Sequence, residues 1–296
     1  RTRFILDTAF VKRDFMQSNS WDKIIRPRSG WFDIHLVELW RYRDLIGLFV
    51  WRDFVSVYQQ SILGPIWFVI QPVITTIVFT IIFGTVAKIP TDGLPPFLFY
   101  LSGVIAWKYF ADCLNHTSNT FVGNAHLFGK VYFPRLTVPV SVVISNLVAF
   151  GIQFLLFLAF LLFYRANGAP VHPQPVILLL PLLILQMAAL GLGFGIIVSS
   201  LTTRYRDLTY LVGFGVQLWM YATPVVYPAS FLPDNWRWIT VVNPMAPVIE
   251  AFRYAFLGSG YINMQSWLIS LAITAGILVV GVVLFSRIEK TFMDTV

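Results

Sequence analysis

Long uncharged, apolar segments alternate with short polar segments along most of the chain. An α-helix needs about 20 consecutive apolar residues to cross the hydrocarbon core of a bilayer, and most of these segments are that long. The run 93–107 is shorter, but the aliphatic stem of Lys108 can carry its ammonium group to the membrane surface, so that helix can continue to about Cys113. The pattern predicts six transmembrane helices, near residues 62–87, 94–113, 136–163, 176–201, 209–227 and 267–286.

Composition supports the same class of protein. Hydrophobic residues make up 57% of the chain and charged residues 12%, against roughly 45–50% and 25% in soluble domains. We therefore expect an all-α polytopic membrane protein whose main partner is the lipid bilayer. The single cysteine, Cys113, excludes an intrachain disulfide.

Lysine and arginine are distributed unevenly between the predicted loops. With the N-terminus in the cytoplasm, 17 of the 21 lie on the cytoplasmic side. Cytoplasmic loops carry such an excess, so both termini are predicted to be cytoplasmic, in the cytoplasmic (inner) membrane. The same bias explains the isoelectric point of about 9.6, and no nucleic-acid partner is expected. Residues 1–32 form a cytoplasmic lead and 287–296 a cytoplasmic tail.

An amphipathic segment, 33–60, precedes the first span. Leu36, Leu39 and Trp40 recur at helical spacing, with Glu38 and Arg41 between them. Helices rich in Trp, Leu and Arg lie in the membrane interface with the apolar face down. Because this segment continues directly into a span, an interface helix is favoured over a soluble helix packed on a partner.

The segment 228–262 between spans five and six combines several prolines with tryptophan, tyrosine and many apolar residues. Proline breaks helices, and the aromatic residues favour the headgroup level. We expect a pair of short re-entrant helices, which survive where protein or a water-filled cavity shields their ends. The alternative is an amphipathic loop lying on the membrane surface.

Small residues are concentrated in the fourth span, where Gly191, Gly193 and Gly195 alternate with apolar residues. Such residues let membrane helices approach closely. A dinucleotide-binding fingerprint would need a preceding strand and room for a phosphate, which this span does not offer.

Groups for catalysis or for energy coupling are scarce. His116 and His126 lack metal-ligand spacing, and no phosphate-binding Gly-x-x-x-x-Gly-Lys-[Ser/Thr] occurs. The only acid within a predicted span is Asp112, at its edge. We therefore predict no catalytic residue, no metal site and no cofactor in this chain, and an ion-coupled pump is disfavoured. Energy must come from another protein.

Aromatic residues and sparse amides in the spans suit a neutral, hydroxyl-rich solute such as a sugar. The predicted channel or gate residues are Trp67, Gln71, Phe79, Phe83, Tyr100, Trp107, Gln153, Gln217, Tyr221, Tyr227 and Trp236.

Three motifs occur in a familiar order: "SILGPIWFVIQP", "LFGKVYFPRLTVPV" and "TPVVYP…LP…W…NPMAPVIEAFRYAFLG". Together they resemble the membrane subunit of ABC-2-type exporters, in the branch that exports O-antigen, capsule and teichoic acid. The resemblance covers roughly residues 34–290 and implies a six-helix ABC-2 transmembrane domain over 61–290.

The resemblance implies a homodimer with two copies of a separate ATPase, which binds the ATP and Mg²⁺. It implies that the loop 114–135 carries a coupling helix over 115–128 that docks on the ATPase, with Leu127 and Phe128 filling a cleft of the partner. It also implies that 228–262 forms an outer gate. The predicted docking residues are Asn115, Asn119, Asn124, His126, Leu127, Phe128 and Lys130.

The implied substrate is an undecaprenyl-diphosphate-linked glycan. By position, its phosphates would meet Arg41, Arg43 and Arg52 at the inner membrane edge. Two alternatives are left open: an ABC-2 exporter of another cargo, such as teichoic acid, a lipid or a drug, and a membrane enzyme that transfers glycans.

Overall fold

A computed structural model describes residues 36–59, 64–128, 130–131, 133–202, 205, 207–260 and 262–291. The predicted lead, 1–32, and the last residues of the tail, 292–296, lie outside the described residues. Helices and turns make up the described ranges, with no strand among them. The α-helices are α1 Leu36–Arg41, α2 Arg43–Gln59, α3 Trp67–Phe79, α4 Pro96–Ser118, α5 Thr120–Gly123, α6 Ala125–Phe128, α7 Thr137–Ala166, α8 Leu180–Thr202, α9 Leu208–Tyr221, α10 Arg237–Val242, α11 Ala246–Leu257 and α12 Met264–Thr291.

Five helical segments are long and apolar enough to cross a membrane. They are Trp67–Val86, Pro96–Ser118, Thr137–Ala166, Pro175–Thr202 and Met264–Ile288. The first combines α3 with a π-helical turn, Thr80–Val86, and the fourth includes a 3₁₀ turn, Pro175–Leu179. The prediction of an all-α polytopic membrane protein is confirmed.

The predicted span 209–227 is shorter in the structure. Helix α9 has 14 residues and ends at Tyr221, which gives a length of about 21 Å against a hydrocarbon core of about 30 Å. Turns at Ala222–Tyr227 follow, up to Pro228. The uncharged run continues to Pro233, but Pro224 and Pro228 cannot donate backbone hydrogen bonds, so the helix stops before the uncharged run does.

Helix α4 lies at the centre of the bundle, and α8 packs between α4 and α12. The glycines of α8 make this possible. A Cβ atom on Gly191 would lie 2.5 Å from Cβ of Cys113, and one on Gly195 would lie 2.5 Å from Cβ of Thr117, both in α4. Gly193 faces the other side, where a Cβ would come within 3.0 Å of α12. The predicted close approach is confirmed.

Lys108 differs from its predicted position. Because α4 runs to Ser118, Lys108 is the thirteenth of 23 helical residues rather than the last residue of a span. Its Nζ lies 3.0 Å from Oδ2 of Asp112, one turn further along. The helix thus extends five residues beyond the predicted end near Cys113, because a charge paired on its own helix need not end that helix.

Segments predicted to be cytoplasmic meet at one end of the bundle. A cluster of buried aromatic and aliphatic residues includes Phe121 and Phe128 of the loop after α4 and Phe285 of α12. Tyr42 next to α2 and Ile288 near the end of α12 pack against it. The start of α2 and the end of α12 therefore lie at the same end of the bundle.

Segments predicted to be extracellular meet at the opposite end. The backbone N–H of His172 donates to the carbonyl of Leu257 at 3.2 Å. The hydroxyl of Ser230 donates to Oδ1 of Asp92 at 2.9 Å. The first bond fastens the loop after α7 to the end of α11, and the second fastens the loop after α9 to the loop after α3.

The predicted interface segment forms two helices, α1 and α2, with a turn at Tyr42. Helix α2 packs along α7. Three large apolar side chains remain mostly exposed: Trp40 at 71%, Leu48 at 64% and Trp51 at 65%. An apolar face without a protein neighbour in the described chain suits contact with lipid.

Candidate functional site

The loop after α4 is built from two short helical turns rather than from one helix. Asn115 lies in the last turn of α4, Asn119 follows it, and Asn124 separates α5 from α6. The side-chain amide of Asn119 donates to the carbonyl of Asn115 at 3.3 Å, and that of Asn124 donates to the carbonyl of Thr120 at 3.0 Å. These asparagines satisfy the carbonyls left open at helix ends, so their amides stabilise the loop itself.

The outer surface of this loop differs from the predicted docking set. His126 and Lys130 are exposed, as a docking role requires, and Leu127 is half-buried. Two apolar residues that were not predicted are also exposed, Val122 at 44% and Val131 at 59%. Exposed valines on a polar loop are the residues that a partner would cover, and they carry no motif that marks them in the sequence.

Phe128 does not point towards a partner. Only 5% of it is exposed, and its ring centroid lies 5.9 Å from that of Phe121 and 5.7 Å from that of Phe133. The guanidinium of Arg135 lies 5.5 Å from the same ring. The expectation that Phe128 fills a cleft of an ATPase is wrong, because its own chain already surrounds it.

The loop is fixed firmly to two long helices. The backbone N–H of Phe121 donates to Oγ of Ser199 in α8 at 3.3 Å, and Oγ1 of Thr202 donates to the carbonyl of Ser118 at 3.3 Å. The ring of Phe121 stacks on Phe285 of α12, with centroids 4.5 Å apart. A displacement of the loop would therefore be passed to α8 and α12.

The three predicted phosphate-binding arginines do not form one site. Arg41 is exposed, and Arg43 lies 3.8 Å from a carboxylate oxygen of its neighbour Asp44. Arg52 is engaged more closely, because its Nε and one terminal nitrogen donate to Oδ1 of Asp53 at 2.9 and 2.8 Å. Of the three, Arg41 and Arg43 are the more open to a ligand.

Several predicted channel residues lie in the protein interior. Tyr100 is fully buried and contacts Phe79 and Phe83 of the first span, with ring centroids 6.4 and 6.5 Å apart. Trp107 is 5% exposed and lies edge-on to Trp219 of α9, at 5.9 Å. Gln153 is 1% exposed. Tyr100 and Trp107 therefore hold helices together in the single chain.

The other predicted channel residues lie on the outside of the single chain. Trp67 is 50% exposed, Tyr221 44% and Trp236 55%, while Gln71 and Gln217 are also exposed and Tyr227 is half-buried. The two glutamines stand out because they lie on otherwise apolar helices, α3 and α9. An amide facing lipid lacks hydrogen-bond partners, so these surfaces call for a protein or water neighbour.

Two short helices, α10 and α11, occupy the predicted gate segment. Helix α11 is buried along most of its length and packs on α4 and α8. Its C-terminus is closed by Gly258 at φ +74°, where a Cβ atom would collide with the carbonyl oxygen of His172. A glycine is required there on both counts.

The structural role of Arg253 in α11 was not predicted from the sequence, where this residue served only as one of the positive charges on the extracellular side. It is 4% exposed. Its two terminal nitrogens donate to the carbonyls of Pro224 and Val225 at 3.0 and 3.1 Å, and its guanidinium lies 3.7 Å from the ring centroid of Phe99 in α4. One side chain thus joins α11, the turn after α9 and the outer end of α4. A single arginine within the apolar stretch "EAFRYAFL" was the signal for this role.

One helical turn before Arg253 lies Glu250. Burial raises the pKa of its carboxyl group to about 7, against the opposing effects of Arg253 and the Ala229 N–H. The gate segment therefore holds two ionisable groups close together in a mostly apolar setting.

The family profile described as "ABC-2 type transporter" matches residues 44–257, from the first turn of α2 to the last residue of α11. The chain is 28% identical over 256 residues to the O-antigen export system permease protein RfbA of Klebsiella pneumoniae, covering 85% of this chain and 94% of that protein. It is 28% identical over 221 residues to RfbA of Myxococcus xanthus, with 74% and 82% covered. It is 26% identical over 247 residues to the inner membrane transport permease YadH of Escherichia coli strain K12, with 79% and 92% covered. The resemblance drawn from the motifs is confirmed, and this multi-pass membrane protein belongs to the ABC-2 type transporter family.

Proposed function

We propose that this chain is the permease subunit of an ATP-driven exporter that moves a lipid-linked polysaccharide of the O-antigen kind across the cytoplasmic membrane. The observation that carries the proposal is the match over 94% of an O-antigen export permease, within a family match from α2 to α11. The fold supports it, because apolar helices frame a bundle whose two ends carry distinct loop clusters.

A separate ATPase would dock on the loop formed by α5, α6 and residues 130–131. Support comes from the exposed Val122, His126 and Val131 on the outer side of the loop. It also comes from the inner side, which is hydrogen-bonded to α8 and stacked on α12. ATP binding by the ATPase docked on this surface would tilt α8 and α12 together. In this proposal the loop and both termini lie in the cytoplasm, in line with the bias of Lys and Arg.

Two copies of the chain would enclose the path of the glycan. Exposed amides and aromatic residues on α3 and α9, among them Gln71, Gln217 and Tyr221, support this arrangement. They suit hydroxyl-rich sugars in a seam between subunits better than they suit lipid tails. The short helix α9 with α10 and α11 would form re-entrant segments at the outer mouth.

The experiment is reconstitution of the chain with its ATPase in proteoliposomes. A lipid-linked glycan should stimulate ATP hydrolysis and appear on the far side of the membrane in an ATP-dependent manner, whereas the carrier lipid without glycan should give less stimulation. Stimulation by a lipid or a drug, with none by any glycolipid, would favour the second candidate, an ABC-2 exporter of another cargo. The similarity to YadH, whose name states only transport, is the observation that keeps that candidate.

A further inference from the structure

A stripe of polar side chains runs along one side of the central helix α4. Lys108, Asp112 and His116 are spaced by four residues, which places them on neighbouring turns of the same helical face. Nζ of Lys108 lies 3.0 Å from Oδ2 of Asp112. Nδ1 of His116 lies 3.1 Å from Oδ1 of Asn146 in α7. All three charged or titratable groups sit on a helix that is otherwise mostly buried and apolar.

The inner end of α4 provides a measure of depth. Phe121, just after α4, stacks on Phe285 of α12. Two residues after Phe285 comes Arg287, the first charged residue after the last uncharged run, which marks the membrane edge. Ser118 is thus near the membrane boundary. Lys108 comes ten residues earlier in the helix, about 15 Å deeper, which is about half of a 30 Å hydrocarbon core.

The stripe continues towards the interface helix α2. Ser145, the residue before Asn146 in α7, donates from Oγ to Oδ2 of Asp53 at 3.5 Å. Asp53 belongs to α2 and is held by Arg52. Polar groups therefore follow one another from the surface of α2, across α7, to the middle of α4.

The deep end of the stripe is not sealed. The side chains of Lys108 and Asp112 are 21% and 27% exposed. Tyr100 of α4 faces α3, and Tyr109 faces α7, where its ring lies 5.0 Å from that of Phe150. At about 100° per residue, Lys108 lies about 80° from Tyr100 and 100° from Tyr109 around the helix. It thus occupies the side of α4 that lies between those facing α3 and α7.

We propose that this polar stripe binds the phosphate-bearing head of a lipid-linked substrate that enters sideways from the inner leaflet, between α3 and α7. The inference rests on the proposed function and adds the place of substrate entry. The ammonium group of Lys108 binds a phosphate oxygen, and Asp112 accepts hydrogen bonds from sugar hydroxyls. Charges at mid-membrane depth usually pair and face a cavity or a substrate path. The Lys108–Asp112 pair keeps the resting site neutral, and a phosphate replaces Asp112 as the partner of Lys108.

Thiol labelling tests access to the stripe. Because the chain has one cysteine, Cys113→Ala gives a cysteine-free background. In the full chain with its ATPase, we expect Lys108→Cys and His116→Cys to react with a charged, membrane-impermeant thiol reagent applied from the cytoplasmic side. Leu155→Cys, on the exposed face of α7, is the matched control in lipid and should stay unreactive. Lack of reaction at Lys108→Cys, with folding intact, would overturn the proposal.

Ligand protection and substitution test what binds. Polyprenyl diphosphate should slow labelling of His116→Cys at least about tenfold, which corresponds to about 1.4 kcal/mol, whereas phosphatidylglycerol and inorganic phosphate should not. Protection by phosphatidylglycerol to the same extent would show a site for bulk lipid and refute the proposal.

In ATPase assays, Lys108→Gln should raise the glycolipid concentration for half-maximal stimulation about tenfold, which corresponds to about 1.4 kcal/mol. Lys108→Arg should stay near the wild type. Lys88→Gln, an exposed cation of an outer loop, is the control. A wild-type protein that no glycolipid stimulates would refute the proposed function, whereas equal stimulation of wild type and Lys108→Gln would refute only the entry site.

Discussion

At the scale of single residues, the outer end of the bundle depends on one arginine. The guanidinium of Arg253 donates to the carbonyls of Pro224 and Val225 in the turn after α9, and it covers the ring of Phe99. Lysine carries the same charge but lacks the planar fork that reaches both carbonyls. The residue is therefore required for its shape as well as its charge.

We expect Arg253→Lys to lower the free energy of unfolding by about 1.5–3 kcal/mol, the usual contribution of hydrogen bonds to a charged group. Arg237→Lys is the matched control, because Arg237 makes only an exposed ion pair with Asp234 at 3.0 Å, which contributes about 0–1 kcal/mol. Unfolding of both variants in detergent micelles, followed by tryptophan fluorescence, gives the comparison. Equal losses would show that the fork of Arg253 does not stabilise the outer end.

A second residue-scale prediction concerns the glycines of α8. Gly191→Ala places a methyl group against Cys113 and the backbone of α4, so we expect a loss of about 1–3 kcal/mol from overpacking. Gly276→Ala in α12 meets nothing within 4 Å and should be neutral or slightly stabilising. Thermal unfolding of the two purified variants distinguishes these effects. An unchanged melting temperature for Gly191→Ala would mean that α4 and α8 can separate at no cost.

At the scale of elements, the coupling loop separates into an inner and an outer side. Phe121 and Phe128 belong to the buried cluster, whereas Val122 and Val131 face outwards. Substitutions on the outer side should therefore impair coupling to the ATPase, whereas substitutions on the inner side should lower the stability of the fold.

We expect Val131→Glu to reduce stimulated ATP hydrolysis several-fold while leaving unfolding unchanged, because a charge would enter an apolar docking surface without touching the fold. Phe128→Ala should instead lower the free energy of unfolding by about 3–5 kcal/mol, the usual cost of removing a buried aromatic ring. Coupled ATPase assays and unfolding curves on both variants distinguish the two effects. Normal coupling in Val131→Glu would place the ATPase elsewhere.

Sequence patterns predicted the elements better than the roles of charged residues. Spacing alone identified the close approach at Gly191 and the short helices before Leu257. It placed Lys108 near the end of a span because a run of uncharged residues ends at any charge, whereas a helix tolerates a charge that has a partner one turn away. It missed the role of Arg253 for a different reason, because the carbonyls of Pro224 and Val225 come close to it only in the folded chain.

At the scale of the whole molecule, two apolar helices of the single chain, α3 and α9, expose glutamine side chains on their outer surfaces. Gln217 and Tyr221 lie on one of them and Gln71 on the other. In the proposed dimer these surfaces would line the seam, so residues at equivalent positions of two copies would lie near one another.

We expect Gln217→Cys in the Cys113→Ala background to form a dimer crosslink with a short bifunctional thiol reagent in membranes. Leu185→Cys, exposed on α8, is the control and should remain monomeric after the same treatment. Crosslinked dimer should be detected by its mobility in denaturing gels, at twice the mass of the chain. Equal crosslinking at both positions would argue against a specific seam at α9.

The enclosure of α8 has a consequence for sequence variation. From Gln186 to Ser200 no residue of this helix is exposed. On α12, by contrast, exposed residues recur with the helical repeat, at Leu268, Ala272, Ala275 and Val279. Saturation mutagenesis should therefore find a periodic pattern of tolerated changes along α12 and none along α8. Divergence within the family would then be slowest in α8, whose residues are all buried or half-buried over these four turns.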